Sequence, residues 1–159
     1  MLKKLVQVLT LFTVQTESIS IKKRENLEAP VLNIFMTGDW GGPRESISDD
    51  GSKPAQDKYG LSISYSMNQL AEGYDLDSVL LLGDNIYDAG VYDATDNRFA
   101  DTYLATWDRS NLLKTRMYAT AGNHEYHRNI SALIEYTNLD PTGRWYYPDY
   151  YYSQECRSQ

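Results

Sequence analysis

Three apolar runs along this chain end alike, on a glycine followed by oxygen-bearing side chains. Val31–Thr37 leads into Gly38-Asp39-Trp40-Gly41-Gly42, Val79–Leu82 into Gly83-Asp84-Asn85-Ile86-Tyr87, and Met117–Ala121 into Gly122-Asn123-His124-Glu125. Val31–Met36 and Ser78–Leu82 are short, continuous and apolar, the pattern of strands buried in a parallel sheet. Between them Ile63, Met67, Leu70, Ala71 and Tyr74 recur at helical spacing, and Gly73 is placed to close that helix. Phe99, Tyr103, Leu104 and Trp107 mark a second helix, with Thr95 or Asp96 as its N-cap. Ile130, Leu133 and Ile134 mark a third, shorter one. The order β-α-β-α-β-α predicts an α/β fold with right-handed crossovers and a parallel sheet. Ligands of such sheets bind at the carboxyl edge of the strands, where all three motifs fall.

The flanks read differently. Lys3 and Lys4 precede the moderately apolar Leu5–Val14, so residues 1–18 read as a secretory leader; an ordinary leading strand or helix is the alternative. Residues 19–30 read as a linker, Pro43–Pro54 as a polar loop, and residues 31–159 as the domain. Asn129-Ile130-Ser131 is a glycosylation acceptor triplet, which makes Asn129 a candidate modification site and supports a secreted or lysosomal/endomembrane route. The tyrosine-rich Trp145–Tyr152 reads as strand and core-edge packing.

Composition narrows the partners. A net charge of −7 argues against nucleic acid, whose phosphates need a basic surface. Anionic small substrates stay compatible if bound metal makes the site locally positive. The chain has a single cysteine, Cys156, so no intrachain disulfide forms. No apolar run approaches the roughly 18 residues of a transmembrane helix.

The three turns suit metal chemistry. A carboxylate has two oxygens, so Asp84 can bridge two cations, with Asp39 terminal on one and the Asn123 carbonyl on the other. Cations about 3.5–4 Å apart can clamp the attacking and leaving oxygens of an in-line displacement and make hydroxide available from bound water. His124 follows Asn123 and suits the substrate side, touching phosphate or protonating a leaving group. Trp40 reads as packing and His127 as a solvated helix-start residue. Glu125 is open to two readings, a hydrogen-bonding support for its neighbours or a plain acid at a helix start.

The set resembles the calcineurin-like metallophosphoesterases, and within them the purple acid phosphatases of the small tartrate-resistant type. The broad superfamily has Asp-x-His in its first motif; this chain has Gly41 there, and Tyr87 three residues after Asp84, as purple acid phosphatases do. Asp88-Ala89-Gly90-Val91, Arg144-Trp145-Tyr146-Tyr147-Pro148 and the Asn129 acceptor also resemble that type in place and order. The resemblance implies the N-terminal β-α-β-α-β half of a four-layer α/β/β/α sandwich. It implies Fe(III) on Asp39, Asp84 and Tyr87, and Fe(II), Zn(II) or Mn(II) on Asp84 and Asn123. It also implies an acid phosphatase acting on phosphate monoesters.

One departure qualifies this. The family completes its site with three later histidines, whereas this chain has only His124 and His127. The expectation is a chain truncated at its C-terminal side. It would descend from an enzyme yet turn over little by itself, with a non-catalytic phosphatase-like binding or interaction protein as the alternative.

Overall fold

The computed structural model describes residues 5–10, 31–42 and 58–155. The linker, the whole Pro43–Pro54 loop and Cys156 lie outside the described residues. Five parallel strands stand side by side in chain order: β1 (Leu5–Thr10), β2 (Val31–Thr37), β3 (Ser78–Leu81), β4 (Arg116–Ala119) and β5 (Trp145–Tyr146). Helix α1 (Lys58–Ala71) joins β2 to β3. A π-helical turn (Phe99–Leu104) running into α2 (Ala105–Trp107) joins β3 to β4, and α3 (Ile130–Tyr136) joins β4 to β5.

The predicted α/β order is present, with two additions. Leu5–Thr10, inside the segment read as a leader, pairs with β2 from Leu5↔Val31 to Thr10↔Met36. Trp145–Tyr146, within the tyrosine-rich stretch read as strand, forms the fifth strand. Helix α1 stops at Ala71, and Gly73 N–H bonds the Leu70 carbonyl in the closing turn, so Tyr74 falls outside the helix and is exposed. The second helix starts on a π turn with no side-chain cap at Arg98. Asp96 acts one turn earlier, its Oδ1 accepting from Arg98 N–H at 2.9 Å, while Thr95 bonds Asp93.

Register divides the sheet into two unlike faces. Phe35, Val79, Leu81, Met117, Ala119 and Trp145 point to the side covered by the helices, where they meet Met67, Ala71, Phe99, Tyr103, Trp107, Leu133 and Tyr136. The rings interlock there: Phe99 stacks on Tyr136 at 3.6 Å, and Trp40 meets Trp107 edge-on at 5.3 Å. The edge contacts add to the burial of large apolar area. The opposite face presents Ile34, Ser78, Leu80 and Tyr118 to a groove of about 520 Å³, walled by Tyr150, Tyr151, Tyr152 and Gln154.

Strand β5 is short, and side chains hold it. Buried Asp140 accepts from the backbone N–H groups of Arg144 (2.9 Å) and Trp145 (2.7 Å). The Arg144 guanidinium reaches back to the Trp107 carbonyl at 2.7 Å, tying the end of α2 to β5. Tyr152 Oη donates to the Ala119 carbonyl at 2.7 Å. Burial pushes both Tyr147 and Tyr152 up to about 12. A phenol whose folded pKa exceeds its unfolded value of about 10 stabilises the fold fully below pH 10 and loses that contribution as pH rises toward 12. A cooperative alkaline unfolding transition between about pH 10 and 12 is therefore expected. Near-ultraviolet circular dichroism against pH checks it, and tyrosines titrating near pH 10 without loss of the signal would contradict it.

Candidate functional site

The turns after β2, β3 and β4 meet at one edge of the sheet. Asp39 and Asp84 both adopt the left-handed backbone region, with φ of 54° and 48°. That conformation costs a side-chain-bearing residue about 1–3 kcal/mol, and it tends to persist at functional sites. The first two turns are zipped together by backbone: Asp39 N–H to the Gly83 carbonyl (3.1 Å) and Tyr87 N–H to the Gly41 carbonyl (2.8 Å). Gly41 sits directly against the Asn85 peptide, so no side chain fits there. Gly122 is pressed against the Asp84 carboxylate in the same way.

This packing brings the expected residues together. Tyr87 Oη donates to Asp39 Oδ1 at 2.8 Å and lies 2.9 Å from Asp84 Oδ2. The second oxygen of Asp84, Oδ1, accepts from His124 N–H at 3.2 Å. The His124 ring lies 4.4 Å from the Tyr87 ring, and its Nδ1 contacts the Asp88 carbonyl. Asn123 is exposed, in the turn between Gly122 and His124. Burial, then the bonds to Asp39 and Asp84, raise Tyr87 well above the usual phenol range, so with no cation present it holds its proton between the carboxylates.

Glu125 decides between its two readings. Fully buried, its carboxylate accepts four backbone N–H groups: Gly122 (2.6 Å) and Asp84 (3.1 Å) on Oε2, Asn85 (2.7 Å) and Ile86 (3.0 Å) on Oε1. Burial raises its carboxyl, and the N–H groups of Gly122, Ile86 and Asn85 act the other way. Glu125 therefore fastens the third turn to the second. Buried Asn85 does the same for the first turn, taking Trp40 Nε1–H at 3.0 Å and donating to the Thr120 carbonyl at 2.7 Å. Sequence reasoning passed over Asn85, which stands in a turn already polar with Asp84 and Asp88 and so carries no local signal of its burial.

The donor set fits hard cations. Around an octahedral cation with oxygens at about 2.1 Å, neighbouring ligands stand about 3 Å apart. The 2.8 and 2.9 Å spacings about Tyr87 Oη match that arrangement. Among the described residues no group of three or more His, Cys, Asp and Glu side chains is poised for a metal, so the cluster rests on two carboxylates and a phenol, with the Asn123 amide exposed in the third turn.

The sequence profile of the calcineurin-like phosphoesterases matches residues 32–158. The chain belongs to that family. Tartrate-resistant acid phosphatase type 5 of Sus scrofa is 33% identical over 123 residues, 77% of this chain and 34% of that protein. Its counterpart in Homo sapiens is also 33% identical, with 77% and 35% covered. Purple acid phosphatase 7 of Arabidopsis thaliana is 26% identical over 137 residues, covering 80% and 37%. This phosphoesterase chain spans about a third of the length of the curated relatives it matches. A solved structure described as GAP50, the anchor in the inner membrane complex of Plasmodium, superposes with a TM-score of 0.59 at 18% identity. It covers 76% of this chain and 35% of its own, a likeness of fold alone.

Proposed function

We propose that Asp39, Asp84, Tyr87 and Asn123 are the oxygen ligands of a two-metal centre that hydrolyses phosphate monoesters, with His124 on the leaving-group side. The observation that carries this is the Tyr87 hydroxyl held within 2.8 and 2.9 Å of two carboxylates from separate turns. Bound there, Fe(III) with Fe(II), Zn(II) or Mn(II) would supply Lewis acidity and an activated water. Asp84 has its two oxygens on different partners, as a bridging carboxylate requires. Tyr87 offers a hard anionic oxygen suited to ferric iron. The Asp88 carbonyl accepts from Nδ1 of His124, so Nε2 carries a proton for an ester oxygen only in the imidazolium form. Glu125 keeps these groups in register without touching substrate.

The direct test is metal analysis at saturating iron and zinc. Two metals per chain are expected, falling to one or none in Asp84→Ala; a count of two in that variant removes the bridging role. Tyr87→Phe should abolish any visible phenolate-to-iron band.

A second reading, a non-catalytic phosphatase-like binding protein, is favoured by one observation: among the described residues no group of three or more His, Cys, Asp and Glu side chains could hold a metal ion. A solved structure of the same fold is described as an anchor in the inner membrane complex of Plasmodium. Metal content of the purified chain separates the two: metal held at the oxygen cluster sustains the first reading, and a chain that retains none sustains the second.

We also infer a secreted or lysosomal/endomembrane route, supported by the leader-like residues 1–18 and the Asn129 acceptor. Asn129 is exposed, and its Nδ2 donates to the Tyr92 carbonyl at 3.1 Å, a bond that the one hydrogen left after glycosylation can keep. Cleavage of the leader would remove β1, so N-terminal sequencing of the secreted product bears on both.

A further inference from the structure

His127 is the histidine that the proposed chemistry leaves unused. It closes the one-turn 3₁₀ helix Glu125–His127 that begins at the buried Glu125. Its ring lies 5.3 Å from the ring of His124, which in turn lies 4.4 Å from Tyr87. Exposure rises along this row: Tyr87 and His124 are half-buried, His127 is exposed. Three rings thus lead outward from the carboxylate cluster, and the outer two carry N–H donors suited to anionic oxygen. In a chain of net charge −7, both imidazoles stand at the same edge of the sheet. Glu125, through its four backbone bonds, anchors the turn that carries them.

We propose that His127 forms an outer anion subsite, and that this chain prefers phosphate esters whose leaving group carries a second phosphate. The inference rests on the two-metal phosphatase reading above. The inner phosphoryl group would occupy the metal cluster and His124. The second group, one short spacer away, would accept a hydrogen bond from His127. A hydrogen bond between a charged group and an imidazole is worth about a tenfold change in affinity.

The test uses two non-hydrolysable probes that differ only in the second group, propylphosphonate and propane-1,3-bisphosphonate, on the zinc-loaded chain. Only two histidines are present, so two Cε1-bound imidazole proton resonances, one per ring, report on the site by NMR, and His127→Gln assigns them by deletion. Propylphosphonate should move the His124 resonance and leave that of His127 in place. The bisphosphonate should move both and bind about tenfold more tightly, an advantage that His127→Gln removes. Equal affinity for the two probes, an advantage that survives His127→Gln, or a His127 resonance that never moves would each overturn the subsite while leaving the phosphatase reading intact. A His124 resonance that moves with neither probe would overturn both.

Discussion

Replacing Glu125 with alanine is expected to destabilise the chain by about 3–6 kcal/mol and to dissolve the candidate site. Four backbone donors lose their acceptor together, and each buried unsatisfied group costs about 1–3 kcal/mol, less what water entering the void recovers. That is a large share of the roughly 5–15 kcal/mol by which native domains are stable. The loss should concentrate where the bonds are. Amide exchange at Gly122, Asp84, Asn85 and Ile86 should speed up far more than at Val79 or Met117 in the strands. Glu125→Gln should fall between, because an amide offers one acceptor oxygen and turns an NH₂ group toward peptide donors. Unchanged exchange at those four amides, with stability within about 0.5 kcal/mol of the parent, would show that the carboxylate is a bystander.

Gly41→Ala should be as damaging for a steric reason. The new methyl would fall within the Asn85 carbonyl group and 2.7 Å from the Ile86 nitrogen. The obstacle is backbone, and Glu125 pins that backbone through Asn85 and Ile86 N–H, so it cannot step aside. A loss above about 4 kcal/mol is expected, at the upper end for single substitutions. Gly143→Ala is the matched control. It has φ +63° with nothing within 4 Å of the added carbon, and should cost only the left-handed penalty of about 1–2 kcal/mol. Thermal melts of the two variants read the contrast directly, and a Gly41→Ala chain melting at or above Gly143→Ala would mean that the first two turns separate freely.

What the sequence disclosed and what it withheld divide along one physical line. The strands, the crossover order and the glycine-kinked turns are written in local patterns a few residues long, and they are present in the structure. So is the gathering of Asp39, Asp84 and Tyr87 at one edge, because a parallel sheet brings every strand's end to the same side. The role of Glu125 could not be read locally. Its partners Asn85 and Asp84 lie 40 and 41 residues away, and no periodicity encodes that approach. The π turn at Phe99 is hidden for another reason: its apolar spacing serves an α-helix equally well. Strand β5 is two residues long and depends on Asp140 and Arg144 rather than on its own propensity. Leu5–Thr10 satisfies a leader and an edge strand alike, so composition could not choose between them.

The order of the strands has a consequence for how the molecule is made. Each strand from β2 onward pairs with the one that precedes it in the chain, so the partner of every newly synthesised strand has already left the ribosome. Assembly can therefore advance by accretion at a growing edge, without waiting for a distant segment to return. The oxygen cluster is built on the same schedule. Asp39 arrives with the second strand, Asp84 and Tyr87 with the third, and Glu125 locks the preceding turns only after the fourth. Until that carboxylate emerges, the backbone N–H groups of Asp84, Asn85 and Ile86 in the second turn lack their acceptor, which makes the interval between Tyr87 and Glu125 the vulnerable stretch of its synthesis.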